Sequence, residues 1–414
     1  MNNLWDSRYA LRMKGITSST IRELLKLTQR PEVISFAGGL PAAEYFPVER
    51  FKEACDRVLA DSAYQALQYS TTEGYTPLRE LIAARLCQTG VCVDADNVLI
   101  TSGSQQALSM IGALLINPGD VVLVEEPTYL GALQAFSLYQ ANYLPVPLDD
   151  NGIRTDELPG ALRHGPKFMY ILPNFHNPAG VTLSAARRAE LVEHALQYGV
   201  PILEDDPYGE LRYEGEASRP IVAYDAEALG LGSDAYSGNV IELGTFSKTL
   251  APGLRIAWIV APKPVIARLV QIKQGVDLHT SIFNQMVIYE VAKDGFIDEH
   301  VARLRTVYRK RRDAMLAALD RYMPPDVEWT HPDGGLFLWM RLPEGLDERA
   351  LFETAVARNV AFVPGQSFFT RPDNPPTARL NFSCMDEERI AEGIRRFAEA
   401  ITEMQSAASS VPSA

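Results

Sequence analysis

The sequence predicts an α/β fold, with a large domain built on a mostly parallel sheet and a smaller α+β domain after it. Three observations predict this. Between residues 97 and 260, short apolar runs alternate with helical stretches. After Pro324-Pro325, strand-like and helical segments resume as a separate unit. The chain, 414 residues long, can also bury one large core and a second, smaller one.

The apolar runs at Asn97–Thr101, Val121–Glu125, Lys167–Leu172, Val200–Glu204, Val240–Leu243 and Ile256–Val260 are each short enough to be buried strands. Helices are predicted between them at Ser104–Ile116, Thr128–Tyr139 and Ser184–Tyr198. Ser104 and Ser184 provide N-caps, and one face of these helices is left apolar, as packing on a sheet requires. From about Pro262 the chain turns helical, with a long amphipathic run over Asp298–Tyr322. The second unit reads as strands at Gly335–Arg341, Val360–Val363 and Arg379–Ser383, with helices at Asp347–Arg358 and Asp386–Met404. The Ser/Ala/Pro-rich segment 406–414 is expected to be a disordered tail.

Composition narrows the function classes. Hydrophobic residues make up 47% and charged residues 22% of the chain, as in ordinary globular proteins. A formal net charge of −13 argues against a nucleic-acid or anionic-membrane partner. The basic run Arg303, Arg305, Arg309, Lys310, Arg311 and Arg312 is therefore read as the solvated face of a long helix. Residues 1–12 hold no apolar run of signal-peptide length, and no stretch approaches the roughly 18 apolar residues of a membrane span, so a cytoplasmic location is expected. Four cysteines without a CxxC pair read as reduced thiols, and six scattered histidines give no metal motif; no metal is expected.

The chemistry is concentrated in a few short segments. Gly244-Thr245-Phe246-Ser247-Lys248, followed by Arg255 in Ala251-Pro252-Gly253-Leu254-Arg255, suits an aldehyde cofactor with a phosphate handle. The lysine amine can form a Schiff base, while Thr245, Ser247 and Arg255 can bind the phosphate. Thr101-Ser102-Gly103-Ser104-Gln105 follows a strand and opens a helix, where free N–H groups and the helix dipole favour an anion. Tyr129, at the start of a helix, can stack on a pyridine ring or pack in the core. Glu204-Asp205-Asp206 ends an apolar strand; adjacent buried acids are costly unless one meets a cation, and a protonated ring nitrogen is one. Asp205 is assigned to it, with a slip of one residue left open. Asn177 and Tyr208 are suited to hydrogen-bond the ring's phenolic oxygen. Arg379, within an otherwise apolar strand, can bind a substrate α-carboxylate or form a structural ion pair. Together these describe a pyridoxal phosphate (PLP) site beyond the carboxyl ends of sheet strands.

With those residues in place, the chain resembles the fold-type I PLP-dependent aminotransferases of class I/II over nearly its whole length, most closely the 2-aminoadipate (lysine-biosynthesis) and kynurenine aminotransferase group. The carrying segments are Ser19–Leu25, Ile34–Pro41, Leu67-Gln68-Tyr69-Ser70, Ser104-Gln105, Asn177-Pro178, Glu204–Tyr208, Ser247-Lys248 with Arg255, and Asp277–Thr280. The resemblance implies the PLP-dependent transferase fold with a seven-stranded type of large-domain sheet. It implies an N-terminal arm and mobile helix over residues 1–45 packing with the small domain, a large domain over 46–290 and a small domain over 291–405. It makes Lys248 the Schiff-base lysine, Asp205 the pyridinium partner, and Asn177 and Tyr208 the ligands of the ring oxygen. Ser104, Gln105, Ser247 and Arg255 would hold the phosphate, Tyr129 would stack, Arg379 would bind the α-carboxylate and Gly39 would line the substrate pocket. Tyr69 would reach the phosphate in the other subunit of a homodimer with shared sites. Ser19 and Arg22 match a mobile segment that covers the substrate side chain, where an arginine can pair with a distal carboxylate. His176 and Gly209 depart from the group's pattern near the pocket.

The activity so implied is ping-pong amino transfer from an L-amino acid (2-aminoadipate, aromatic or branched-chain) to 2-oxoglutarate, giving a 2-oxo acid. A lyase or decarboxylase on the same fold is the alternative. PLP-sensing regulators share the domain but carry an N-terminal winged helix; here the likeness begins by about residue 17, so none is expected.

Overall fold

The structure is a computed structural model and describes residues 4–16, 32–233 and 235–409. In chain order its strands are β1 (Ile34–Ser35), β2 (Val98–Thr101), β3 (Val121–Glu126), β4 (Asn142–Asp149), β5 (Gly152–Ile153), β6 (Met169–Ile171) and β7 (Ile202–Asp205). They continue with β8 (Val240–Thr245), β9 (Ala257–Val260), β10 (Glu328–Trp329), β11 (Phe337–Arg341), β12 (Val360–Ala361), β13 (Val363–Pro364) and β14 (Thr377–Asn381).

The large sheet has the order β2-β9-β8-β7-β6-β3-β4-β5. Strands β8, β7, β6, β3 and β4 run parallel, and β9 runs antiparallel between β8 and β2. Beside the seven main strands, the two-residue β5 adds an antiparallel hairpin edge on β4. Each strand sends alternate residues to opposite faces. Leu123, Met169 and Ile202 enter one apolar cluster, while Val122, Val124, Tyr170 and Leu203 enter the other. Helices cover both faces, as a parallel sheet requires.

The strand β4 has no counterpart among the predicted runs, and its sequence explains why. Pro145 and Pro147 interrupt Asn142–Asp149, and a proline reads against a central strand because it donates no hydrogen bond. Both lie at one parity, and the Pro147 carbonyl accepts from Arg154 N (3.0 Å) on the β5 side. Their missing donors therefore face the edge of the sheet, where almost nothing needs them.

The smaller unit is a four-stranded antiparallel sheet, β10-β11-β14-β13, packed on the helices Phe296–Tyr322 and Glu387–Ser409. Strand β1 pairs in parallel with β12, and Val33, Ile34 and Phe36 enter the core of this unit. The N-terminal segment thus crosses the cleft between the two units and brings Gly39 to it. The final helix continues through Ser409, past Ser406, where the sequence predicts a disordered tail to begin. Residues Ser19 and Arg22 lie outside the described residues.

Candidate functional site

The cleft between the sheet's carboxyl edge and the small unit gathers residues from several distant segments. Lys248 lies just after β8, and its Nζ donates to the carbonyl of Gly39 (2.6 Å). It also lies 5.8 Å from the centre of the Tyr208 ring. Burial, reinforced by the guanidinium charges of Arg379 and Arg255, lowers its pKa to about 8. An amine in that range has a substantial uncharged fraction near neutrality, as a nucleophile or base requires.

The acids at the end of β7 divide by strand parity. Glu204, on the face of Ile202, accepts from the N–H groups of Ile221 (2.7 Å) and Val222 (2.9 Å) at a helix start. Asp206 accepts from Asn174 Nδ2 (2.7 Å) and Gly209 N (2.7 Å). Asp205, on the face of Leu203, has one side-chain donor, the hydroxyl of Tyr170 at 2.7 Å. It is 3% exposed, and burial pushes its pKa up to about 7. A buried carboxylate without a cationic neighbour among the described residues suits a cation brought by a ligand. Of the three acids, Asp205 is the one turned toward Tyr129: its charge is felt by that buried phenol, whose pKa is raised mainly by burial.

Tyr129 caps the helix Leu130–Ser137, and its ring lies over Gly131, where an added Cβ would meet the ring at 2.5 Å. Tyr208 is buried and hydrogen-bonds with Asn177; burial raises its pKa well beyond the ordinary phenol range. Asn177 Oδ1 in turn accepts from Arg379 Nη1 (2.8 Å).

Arg379 is 3% exposed. Its Nη2 donates to the Ala37 carbonyl (2.8 Å), and its guanidinium lies over the rings of Phe337 (4.2 Å) and Phe368 (5.0 Å). Its Nε has no hydrogen-bond partner, and no carboxylate pairs with it among the described residues. Burial lowers its pKa to about 10. A guanidinium so desolvated, with a donor to spare, is prepared for an anion.

A cradle suited to an anion forms where β2 and β8 end. Gly103 caps the helix Ser104–Leu115 at φ 84° and ψ 161°. A Cβ there would lie 2.0 Å from Arg255 Nη2, so the glycine admits the guanidinium against the helix N-terminus. Arg255 itself adopts a left-handed backbone (φ 56°) and is exposed. The Thr245 hydroxyl is committed inward: it donates to Ser247 Oγ (2.9 Å) and accepts from Ser247 N (3.0 Å). It thereby orients Ser247 beside it. The Gln105 side chain likewise donates to the Gly131 carbonyl (2.9 Å), which leaves its backbone N–H for an anion. Tyr69 is 79% exposed and touches His279 edge-on at 5.9 Å; it points out of the protomer.

Several contributors carry no sequence signal of their own. The carbonyls of Ala37 and Gly39, the Phe337–Phe368 pair around Arg379, and Tyr170 behind Asp205 all depend on tertiary placement. Ser102 is a further case. Its hydroxyl bonds Asp277 (3.1 Å), which Lys273 and Gln106 also hold, tying the phosphate turn to a neighbouring helix end.

These residues fit pyridoxal phosphate: a buried amine, an acid short of a cation, a glycine-opened anion cradle and a spare guanidinium. The model of the aminotransferase class I and II family matches residues 31–397. The chain belongs to that family. It is 47% identical over 406 residues to aromatic-amino-acid aminotransferase 1 of Thermococcus litoralis, covering 96% of this chain and 95% of that protein. It is 46% identical over 398 residues to the 2-aminoadipate transaminase of Thermus thermophilus, covering 96% and 97%. The crystal structure of the Thermus thermophilus alpha-aminoadipate aminotransferase LysN, complexed with N-(5'-phosphopyridoxyl)-L-leucine, superposes with a TM-score of 0.90 at 42% identity. That match covers 98% of this chain and 100% of that one. The chain is accordingly a PLP-dependent aminotransferase of fold type I. Among the described residues no helix is long and apolar enough to cross a membrane.

Proposed function

We propose that this aminotransferase moves the amino group of a 2-aminoadipate-like, aromatic or branched-chain L-amino acid to 2-oxoglutarate by a ping-pong route, in the cytoplasm, as a homodimer with shared sites. The observation that carries the reading is the pair of Lys248 and Arg379 in one cleft. An amine lowered to about 8 stands near a buried guanidinium that no carboxylate pairs among the described residues.

When bound, PLP supplies an electron sink that stabilises negative charge at a substrate's α-carbon. The protein's share of the work follows from its own groups. Arg379 receives the α-carboxylate through its free Nε edge and so fixes the α-carbon's orientation. Lys248 Nζ would anchor the cofactor and is the amine placed to take the proton from the α-carbon as general base. Asp205 would pair with the ring nitrogen, and Asn177 and Tyr208 would hydrogen-bond the ring oxygen. Ser104, the Gln105 N–H, Thr245, Ser247 and Arg255 would hold the phosphate, with Tyr69 of the second subunit completing the cradle. Tyr129 would cover one ring face, while Gly39 would leave room for the substrate. Ser19 and Arg22 would close over the substrate side chain, and the relatives' names support donors of that range.

Half-reactions test this reading. Enzyme given an amino donor alone should release at most one 2-oxo acid per site and stop, then resume when 2-oxoglutarate is added. Continued turnover without an oxo acid would point to lyase or decarboxylase chemistry instead.

A further inference from the structure

We propose that Tyr170 is a positioning residue for Asp205, its hydroxyl fixing the carboxylate in the orientation that faces the cofactor's ring nitrogen. The inference rests on Asp205 having that role.

The three neighbouring acids differ sharply in how they are held. Glu204 and Asp206 each accept from two or more donors, including backbone N–H groups. Among the described residues, Asp205 accepts from Tyr170 Oη alone, at 2.7 Å. The placement is set by the sheet. Tyr170 of β6 is in register with Leu203 of β7, so Asp205, two residues further, shares its face at a diagonal position within a tyrosine's reach. The Tyr170 ring is fully buried and meets Phe136 edge-on at 5.7 Å, so its hydroxyl cannot swing elsewhere.

The chemistry of the donor matters as much as its place. Burial, with the Asp205 charge beside it, raises the Tyr170 pKa far above the ordinary range, so it remains a neutral donor. A lysine or arginine there would neutralise Asp205 and compete with a pyridinium. A phenol orients the carboxylate and favours its ionised form without cancelling its charge. The second carboxylate oxygen is left for the ligand.

The test compares apoprotein binding of PLP with that of its carbocyclic analogue, in which CH replaces the ring nitrogen. Tyr170→Phe keeps the ring against Phe136 and removes only the hydroxyl. It should weaken PLP binding about tenfold, leave analogue binding unchanged, and add nothing in an Asp205→Asn background. Tyr170→His, which can donate from its ring, should retain most of the preference for PLP. Equal losses for both ligands, an unchanged preference in Tyr170→Phe, or loss of preference in folded Tyr170→His would each overturn the proposal. If Asp205→Asn itself leaves the preference intact, the assignment of Asp205 fails, and the inference with it.

Discussion

Lys248 illustrates how a functional group is kept at the expense of the fold. Its pKa falls from 10.5 to about 8 because the folded site disfavours the charged amine. Below about 8 both folded and unfolded chains hold the proton, and the folded state bears the whole penalty. Between about 8 and 10.5 the unfolded chain still binds the proton that the folded lysine has shed, so stability rises with pH across that window. Apoprotein carrying Lys248→Met should therefore be more stable than the unaltered apoprotein at pH 7, with the gap closing toward pH 10. Urea midpoints at the two pH values measure this; a gap that widens with pH would contradict it. Arg379 presents the complementary case of a buried charge waiting for its partner. Arg379→Ala should reduce kcat/KM for every amino donor and for the oxo acid alike, by roughly 2–5 kcal/mol of lost pairing. An effect confined to donors with acidic side chains would place Arg379 at the distal end of the substrate instead.

At the scale of elements, the site depends on turns at strand ends. The conformation of Gly103 (φ 84°, ψ 161°) is essentially reserved for glycine, and its missing Cβ is filled by Arg255. Gly103→Ala adds about 1–3 kcal/mol of backbone strain and displaces the guanidinium. Cofactor affinity should fall at least tenfold, beyond any loss of thermal stability, when PLP is titrated into the apoprotein. An affinity unchanged in a folded variant would remove this turn from the phosphate site. Much at this scale is legible in the sequence. The strands β2, β3, β7, β8 and β9 follow apolar runs, and strand parity separates Asp205 from its neighbours once β7 is in register. What escapes is what tertiary contact decides. β4 hides behind Pro145 and Pro147. The link between the Thr245 hydroxyl and Ser247 shows only once the turn is folded. Tyr170 reads as one more apolar strand residue until β6 is laid beside β7.

At the scale of the whole molecule, two units with separate cores meet at the cleft, and the N-terminal segment stitches them through β1 and β12. Tyr64, Leu67, Tyr69 and Leu278 are exposed in the protomer, an apolar surface suited to a second copy. Residues Lys248 and Tyr69 would then serve the same site from different chains. Mixing inactive Lys248→Ala and Tyr69→Ala proteins should restore up to about one quarter of full activity, since half-intact heterodimers hold one complete site. No recovery after verified subunit exchange would mean that each protomer works alone.

The most direct measurement is the visible absorption of the PLP-loaded protein through a full cycle, with Lys248→Ala alongside. The expected result is a lysine-dependent visible band that an amino donor bleaches and 2-oxoglutarate restores, with neither change in Lys248→Ala. A folded, PLP-saturated protein without that band, or a variant lacking Lys248 that still transfers amino groups, would contradict it.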